Sequence, residues 1–372
     1  MRLGIDATYL EEEFSGIKSF LLNFLFGLKK EKIPFKIFLF FQKKVVDLGK
    51  IDLSSFLKTL PKKKSFFSKL QKFIFFHFVL PKKLKKFQID IFFSPNNFLP
   101  FLKGAKKEII FLHDISWKIN PSWKGTFFKI YATFFQKMSL KKADLILVPS
   151  KIVKSDLLKH YFFDGLERKI KVFYEGIDEI WTKIDRKEIL RVKNKYNLPK
   201  SFLLFVGNLE PRKNLKTLIL VFEKLKKEFP ELNLVIVGKK IRISKTLWKK
   251  IKNDKKIHYF SNLPFSSLWA IYHLAQVFFL PTFYEGFGFP LLEAAKSNIP
   301  IVASSCLAIK EILPEHSFLK EPHNVGDFAQ SIKEILKNPT FKKRIIEYQR
   351  KRLREFSSSK MAKSFLSFLD FL

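Results

Sequence analysis

Short apolar runs alternate with longer mixed segments along the whole chain, and they fall into two series. In the first, Ile5, Phe35 to Phe41, Ile89 to Phe93, Glu108 to Leu112, Leu145 to Val148 and Ile170 to Phe173 read as strands. Ser19 to Leu28, Thr126 to Leu140 and Lys151 to Lys159 are the clearest helices between them. The second series runs through Phe202 to Val206, Leu232 to Val237, Ile257 to Phe260, Val277 to Leu280 and Ile301 to Ala303. This alternation predicts an α/β fold, and 372 residues are enough for two domains with real cores. The charged stretch Asp178 to Pro199 reads as linker plus a first helix, with the boundary near Asp185, and Lys342 to Leu372 as closing helices. The expected division is 1–185, 186–350 and a last helix over 351–372. No repeat of fixed period is present.

The segment from Pro281 to Ala295 is the most informative. Val277 to Leu280 is a buried-strand run, Gly286 and Gly288 permit a tight turn, and Pro290 suits the first turn of a helix. A helix start offers unpaired N–H groups and the positive end of a dipole, which suits a diphosphate. Glu285 then lies in the loop facing a ligand, and Glu293 about one turn into the helix, where the two carboxylates can accept hydrogen bonds from a sugar and a ribose. Both glutamates can also be read as solvated charges. The next strand, Ile299 to Ser304, completes a strand-helix-strand unit with the motif at the carboxyl edge, where open α/β sheets bind ligands.

The segment resembles the signature of the retaining glycosyltransferase family 4, also called group 1 glycosyltransferases. Other stretches match in order: Gly4 to Ala7 with Ser15-Gly16-Ile17, Asp90 to Asn96, Phe111 to Asp114, Ala143 to Ser150, Val172 to Asp178, and Phe205 to Asn214. The last is similar to the branch with many mannosyltransferases of surface-polysaccharide assembly. The resemblance covers almost the whole chain. It implies a GT-B fold, two Rossmann-like doubly wound parallel-sheet domains facing across a cleft, with the last helix crossing back to the first domain. It also implies a nucleotide-sugar donor held by Gly16, Gly207, Arg212, Lys213, Glu285, Gly286, Phe287, Gly288, Phe289, Leu291 and Glu293. His113 would reach the donor sugar near its reacting carbon, and the anomeric configuration would be retained. Lys18-Ser19 departs from the usual pattern after the glycine loop, so Lys18 is a second candidate for phosphate contact.

Glycosyl transfer breaks an anomeric C–O bond while negative charge builds on the β-phosphate. Arg212 and Lys213, a fork and a point charge at the end of the strand Phe202 to Val206, are placed to stabilise that charge. Glu285 is expected to orient the sugar rather than attack it, with the departing phosphate taking the acceptor's proton. The base is expected near Val237-Gly238 and Phe260-Ser261. There is no dinucleotide fingerprint, no phosphate loop with its Gly-Lys-Ser/Thr end, no Asp-x-Asp cluster and no metal-spaced His/Cys set. Oxidoreductase and NTPase readings lose their support, and no metal or cofactor is expected.

The net charge of +36 raises nucleic acid as a partner. Only ten of the 70 basic residues are arginine, however, and the lysines accompany 46 phenylalanines, as an AT-rich coding sequence would produce. No nucleic-acid module is recognisable, so nucleic acid is not expected; a basic nucleic-acid-binding protein and a silent glycan-binding relative are the rival readings. From Lys62 to Lys86 nine lysines without an acid are interleaved with Phe, Leu, Ile and Val. This reads either as a helix on an anionic membrane surface or as ordinary core with a solvated basic face. The single cysteine, Cys306, fits a reducing compartment, and no apolar run nears the roughly 18 residues of a membrane span. The reading is a metal-independent retaining hexosyltransferase, cytoplasmic and peripheral on the inner membrane face. Mannose from GDP-mannose is the first candidate donor and a UDP-sugar the second, and the acceptor is a lipid-linked glycan or polysaccharide.

Overall fold

A computed structural model describes residues 1–11, 15–31, 33, 35–50, 69–178, 184–261, 263–314 and 318–372. The chain forms two compact units, Met1–Asp178 with Ser357–Leu372, and Glu179–Phe356.

The first unit holds a seven-stranded sheet of β1 (Arg2–Asp6), β2 (Lys36–Phe40), β3 (Val45–Asp47), β4 (Ile91–Ser94), β5 (Lys107–Phe111), β6 (Leu145–Val148) and β7 (Ile170–Val172). Their spatial order is β3-β2-β1-β4-β5-β6-β7. All pairs are parallel except β2 with β3, an antiparallel edge that the sequence pattern did not reveal because Val45–Asp47 is short and only half-buried. The order reverses between β1 and β4, so the carboxyl ends of those strands open a crevice at that point.

The second unit holds β8 (Ser201–Val206), β9 (Leu232–Val237), β10 (Ile257–Phe260), β11 (Val277–Leu280), β12 (Ile301–Ser304) and β13 (Leu319–Lys320), in the order β10-β9-β8-β11-β12-β13. All of its pairs are parallel. Its switch point lies between β8 and β11, the strands that precede the Arg212-Lys213 and Glu285 segments. The two-residue β13 was not legible in the sequence. Both units are thus Rossmann-like α/β sheets, as expected.

The division falls at Glu179 rather than near Asp185 because Asp178 is tied into the first unit. Its N–H donates to Asn23 Oδ1 at 2.6 Å, and its carboxylate accepts from Ser358 Oγ at 2.5 Å and pairs with Lys30 at 2.9 Å. The return to the first unit begins at Ser357 rather than 351, since the helix Pro339–Leu353 still belongs to the second, where Arg352 Nε donates to Ile312 O at 3.1 Å. The last helix, Ser358–Leu369, packs on the helix Gly16–Lys30. Phe24, Phe93 and Phe173 close on Phe365.

Of the basic Phe-rich segment, Lys62 to Ser68 lies outside the described residues. The remainder is a helix, Lys69–Ile74, passing through a π-helical turn, Phe75–Val79, into Leu80–Lys86. Phe75, His77, Leu80 and Leu84 are buried, while Leu70, Ile74, Phe78 and Val79 are exposed. The segment is therefore neither wholly core nor wholly surface.

Gly27 sets the approach of the last helix: a Cβ there would lie 2.1 Å from the Ser358 carbonyl oxygen. Helix propensity alone would make Gly27→Ala stabilising by about 1 kcal/mol. The expected outcome is instead a loss of about 1–3 kcal/mol from overpacking, read by urea unfolding. A gain in stability would contradict this close packing.

Candidate active site

The segments after β8 and β11 are laced together. Beyond Val206, Gly207 N–H donates to Val237 O at 2.9 Å, and Gly238 is pressed against it so closely that a Cβ would sit 1.9 Å from Gly207 O. The chain then makes a 3-10 turn, Pro211–Lys213, and Asn214 takes a left-handed conformation at φ 52° to cap the helix Leu215–Glu228. Asn214 Nδ2 donates to Pro281 O at 2.9 Å and Pro322 O at 2.7 Å. Arg212 O accepts from Phe283 N–H at 2.8 Å and lies 2.9 Å from Thr282 Oγ1. One main-chain bond and the side chains of Asn214 and Thr282, all ending on backbone carbonyls, thus fix the Arg212-Lys213 pair against the Glu285 loop before the charged side chains are considered.

The side chains close a cluster of four charges, three of them buried and Arg212 partly so. Lys213 Nζ donates to Glu285 Oε1 at 2.6 Å, Arg212 Nη1 to Glu285 Oε2 and to Tyr284 O, both at 3.1 Å, and Arg212 Nε to Glu210 Oε1 at 2.6 Å. Glu285 and Lys213 are each 5% exposed and Glu210 2%. Burial pushes the Glu285 carboxyl up, but the charges of Lys213 and Arg212 and hydrogen bonds from Lys213 and Thr282 outweigh it and hold it below the usual carboxylate range. Burial, with the Arg212 charge added, lowers Lys213 in spite of Glu285. Two carboxylates face two cations, so the cluster is neutral as it stands. The expectation that Glu285 lies open towards a ligand is corrected: both of its oxygens are occupied by Lys213 and Arg212.

Of the two motif glycines only Gly288 needs its glycine, with φ 101° at the N-cap of the helix Phe289–Lys296; Gly286 is not in the left-handed region. Phe287, Phe289 and Leu291 are buried by their side chains, which anchor the loop, leaving their backbone as the part that can meet a ligand. Glu293 is 1% exposed and accepts from Tyr272 Oη at 2.8 Å. Burial and the Glu293 charge raise the Tyr272 phenol, so it stays a donor. Cys306 lies beside this loop, where burial and then the Glu285 charge push its thiol up to about 11.

His113 and Gly16 belong to the first unit. His113 Nε2 is 2.9 Å from Pro95 O, which can only accept, so that nitrogen carries a proton; Nδ1 is 3.6 Å from Glu175 Oε1. Gly16 opens its helix with Ser15 as cap, and a Cβ on Gly16 would meet no described atom within 4 Å. A cavity of about 450 Å³ lies at the β1/β4 switch point, lined by Asp6, Asn97, Asp114, His77, Phe128 and Tyr131 among others. Among the described residues no group of three or more His, Cys, Asp or Glu side chains is arranged to hold a metal ion.

Residues 186–352 match the family described as glycosyl transferases group 1, and residues 15–180 match glycosyltransferase family 4. The chain belongs to this glycosyltransferase family. The glycosyltransferase is 26% identical over 267 residues to O-antigen chain mannosyltransferase B of Escherichia coli, covering 70% of this chain and 68% of that protein. It is 27% identical over 247 residues to O-antigen chain mannosyltransferase RfbU of Salmonella typhimurium, covering 65% and 63%. Its fold is similar to that of Anabaena HepE in complex with UDP and glucose, with a TM-score of 0.70 and 16% identity over 100% of this chain and 99% of that one. Sucrose-phosphate synthase from Thermosynechococcus elongatus gives a TM-score of 0.68 at 14% identity over 100% and 98%. These likenesses show the two-domain fold.

Sequence reading brought Arg212, Lys213 and Glu285 forward correctly as neighbours but missed Glu210, Asn214, Thr282, Tyr272 and Glu175. Glu210 and Asn214 lie inside the quoted Phe205 to Asn214 stretch, and an Asn before a helix is a cap signal. Tyr272 carries no local signal.

Lys213→Met leaves Glu285 buried with one counter-charge fewer. A loss of about 3–5 kcal/mol in urea unfolding is expected, and a loss below about 1 kcal/mol would contradict the buried pairing. Because the folded Glu285 carboxyl is held low, its contribution is complete above its ordinary value of 4.5 and drains away as pH falls through the lower folded value. The acid limb of a stability–pH curve should therefore be shallower in Glu285→Gln than in wild type. Superimposable limbs would contradict it.

Proposed function

We propose that the glycosyltransferase is a retaining, metal-independent hexosyltransferase that moves a sugar from a nucleotide diphosphate donor to a glycan acceptor. The observation that carries this is the meeting of Arg212, Lys213 and Glu285 at the β8/β11 switch point, with Lys213 Nζ 2.6 Å and Arg212 Nη1 3.1 Å from the Glu285 carboxylate. The donor's β-phosphate lies against Arg212, Lys213 and the first amides of the helix Phe289–Lys296. Glu293 reads the ribose, held in place by Tyr272. The anomeric C1–O bond to the phosphate breaks, the acceptor oxygen bonds to C1 on the same face, and the acceptor's hydroxyl proton passes to the departing phosphate oxygen. Charge grows on that phosphate as the bond lengthens, so the two cations stabilise the transition state more than the ground state.

Glu285 exchanges its cation partners for the donor's hydroxyls when the phosphate arrives, and so orients the sugar. In the first unit, His113, its Nε2 proton fixed by Pro95, and Gly16 are the residues assigned to donor contact by the family resemblance. Mannose from GDP-mannose is the first donor, supported by the mannosyltransferase names of the two relatives; a UDP-sugar is the second. The acceptor is a lipid-linked glycan or polysaccharide of the cell surface, built at the cytoplasmic face of the membrane.

A thermal-shift screen with GDP, UDP, ADP and TDP tests the donor assignment. One diphosphate at about 100 times its dissociation constant should stabilise the protein by about 2.7 kcal/mol, and Glu293→Ala should remove most of that gain. Absence of a shift with every diphosphate would overturn the reading.

A further inference from the structure

The helix Thr126–Lys142 buries Ala132 and Leu140 but carries a second apolar stripe on its outer face. A surface helix ordinarily turns its apolar stripe to the core. Here Gln136 and Ser139 are buried, Gln136 accepting from Trp117 Nε1 at 3.1 Å and Tyr161 Oη at 2.7 Å. Phe127, Ile130 and Phe134 instead face out, 90%, 59% and 69% exposed, at spacings of three and four residues. The neighbouring helix repeats the pattern, with Leu70 67%, Ile74 44% and Phe78 42% exposed at spacings of four. The two helices meet through Tyr131, whose hydroxyl is 3.0 Å from His77 Nε2 and whose ring packs on Phe73. Both also line the cavity at the β1/β4 switch point, through Phe73 and Phe76 on one and Phe128 and Tyr131 on the other.

We propose that this apolar ridge docks the glycosyltransferase on an anionic lipid bilayer, with the cavity beside it receiving the headgroup of a lipid-linked acceptor. The inference deepens the proposed function by choosing the lipid-linked acceptor over a free polysaccharide. Charge selects the occupant. From Ile115 to Ala143 there are six lysines and no acid, and from Lys69 to Gln88 six lysines and no acid. Lysines beside inserted aromatic and aliphatic side chains match an anionic headgroup layer over hydrocarbon. A second copy of the chain would bring the same lysines face to face across a twofold axis. Single-stranded nucleic acid could stack only on Phe127, Phe134 and Phe78 and would leave Ile130, Leu70 and Ile74 in water, whereas hydrocarbon covers all six. The cavity's Asp6, Asn97 and Asp114 suit sugar hydroxyls, and its Lys72 and Lys124 suit a phosphate.

The test is flotation of the full chain with vesicles of phosphatidylglycerol and phosphatidylcholine, against phosphatidylcholine alone. Wild type should float with the anionic vesicles, and Phe127→Ser/Ile130→Ser/Phe134→Ser should lower partitioning at least tenfold. The triple variant should keep its thermal shift with the nucleoside diphosphate, which separates failure of docking from failure of the donor site. Equal partitioning of the two proteins, or no binding of wild type, would overturn the proposal. So would a wild-type dimer, or binding of a single-stranded oligonucleotide, that the triple variant abolishes without any vesicle effect.

Discussion

Three buried charges, Glu210, Glu285 and Lys213, together with the partly buried Arg212, hold the second unit's site together. Ions removed from water are tolerated only when each has a partner at hydrogen-bond distance. The fold meets that condition by placing both cations on the turn after β8 and one carboxylate on the loop after β11, adjacent strands at the sheet's switch point. Asn214, Thr282 and Phe283 lock the two segments through backbone carbonyls, so the ion pairs form between groups already brought together. The neutrality of the cluster bears on the proposed function: Glu285 already occupies Arg212 and Lys213, so in that proposal an arriving diphosphate competes with it for them and releases the carboxylate to the sugar.

The two units solve the same problem with different chemistry. In the first, the crevice between β1 and β4 is bordered by acids, amides, aromatic rings and the lysines Lys72 and Lys124, with His113 held near Pro95 and Glu175. In the second, the crevice between β8 and β11 carries the cations and a helix start. In the proposed function the second unit's cations and helix start take the donor's phosphates, and the first unit's crevice takes the acceptor. Among the described residues no helix is long and apolar enough to cross a membrane.

Most strands were legible because buried parallel strands are unbroken apolar runs, as in Leu145–Val148 and Val277–Leu280. Val45–Asp47 and Leu319–Lys320 were not, being edge strands of three and two residues with half-buried side chains. The site was legible as a set of residues but not as a set of bonds. Local order placed Arg212, Lys213 and Glu285 just beyond the carboxyl ends of their strands, while the adjacency of those strands and the partnership of Glu293 with Tyr272, across 21 residues, had no local trace. The outward stripe on Thr126–Lys142 was hidden by composition: with Phe127, Phe128, Phe134 and Phe135 in adjacent pairs that point to more than one side, no face stands out until burial assigns one.

Isothermal titration of the stabilising nucleoside diphosphate against wild type and Glu285→Gln, with turnover measured in parallel, addresses the competition at the cluster directly. Removing the carboxylate's charge releases Arg212 and Lys213 for phosphate, so the expected result is tighter diphosphate binding together with loss of transfer. Weaker binding in Glu285→Gln, or undiminished transfer, would contradict the proposed exchange of partners.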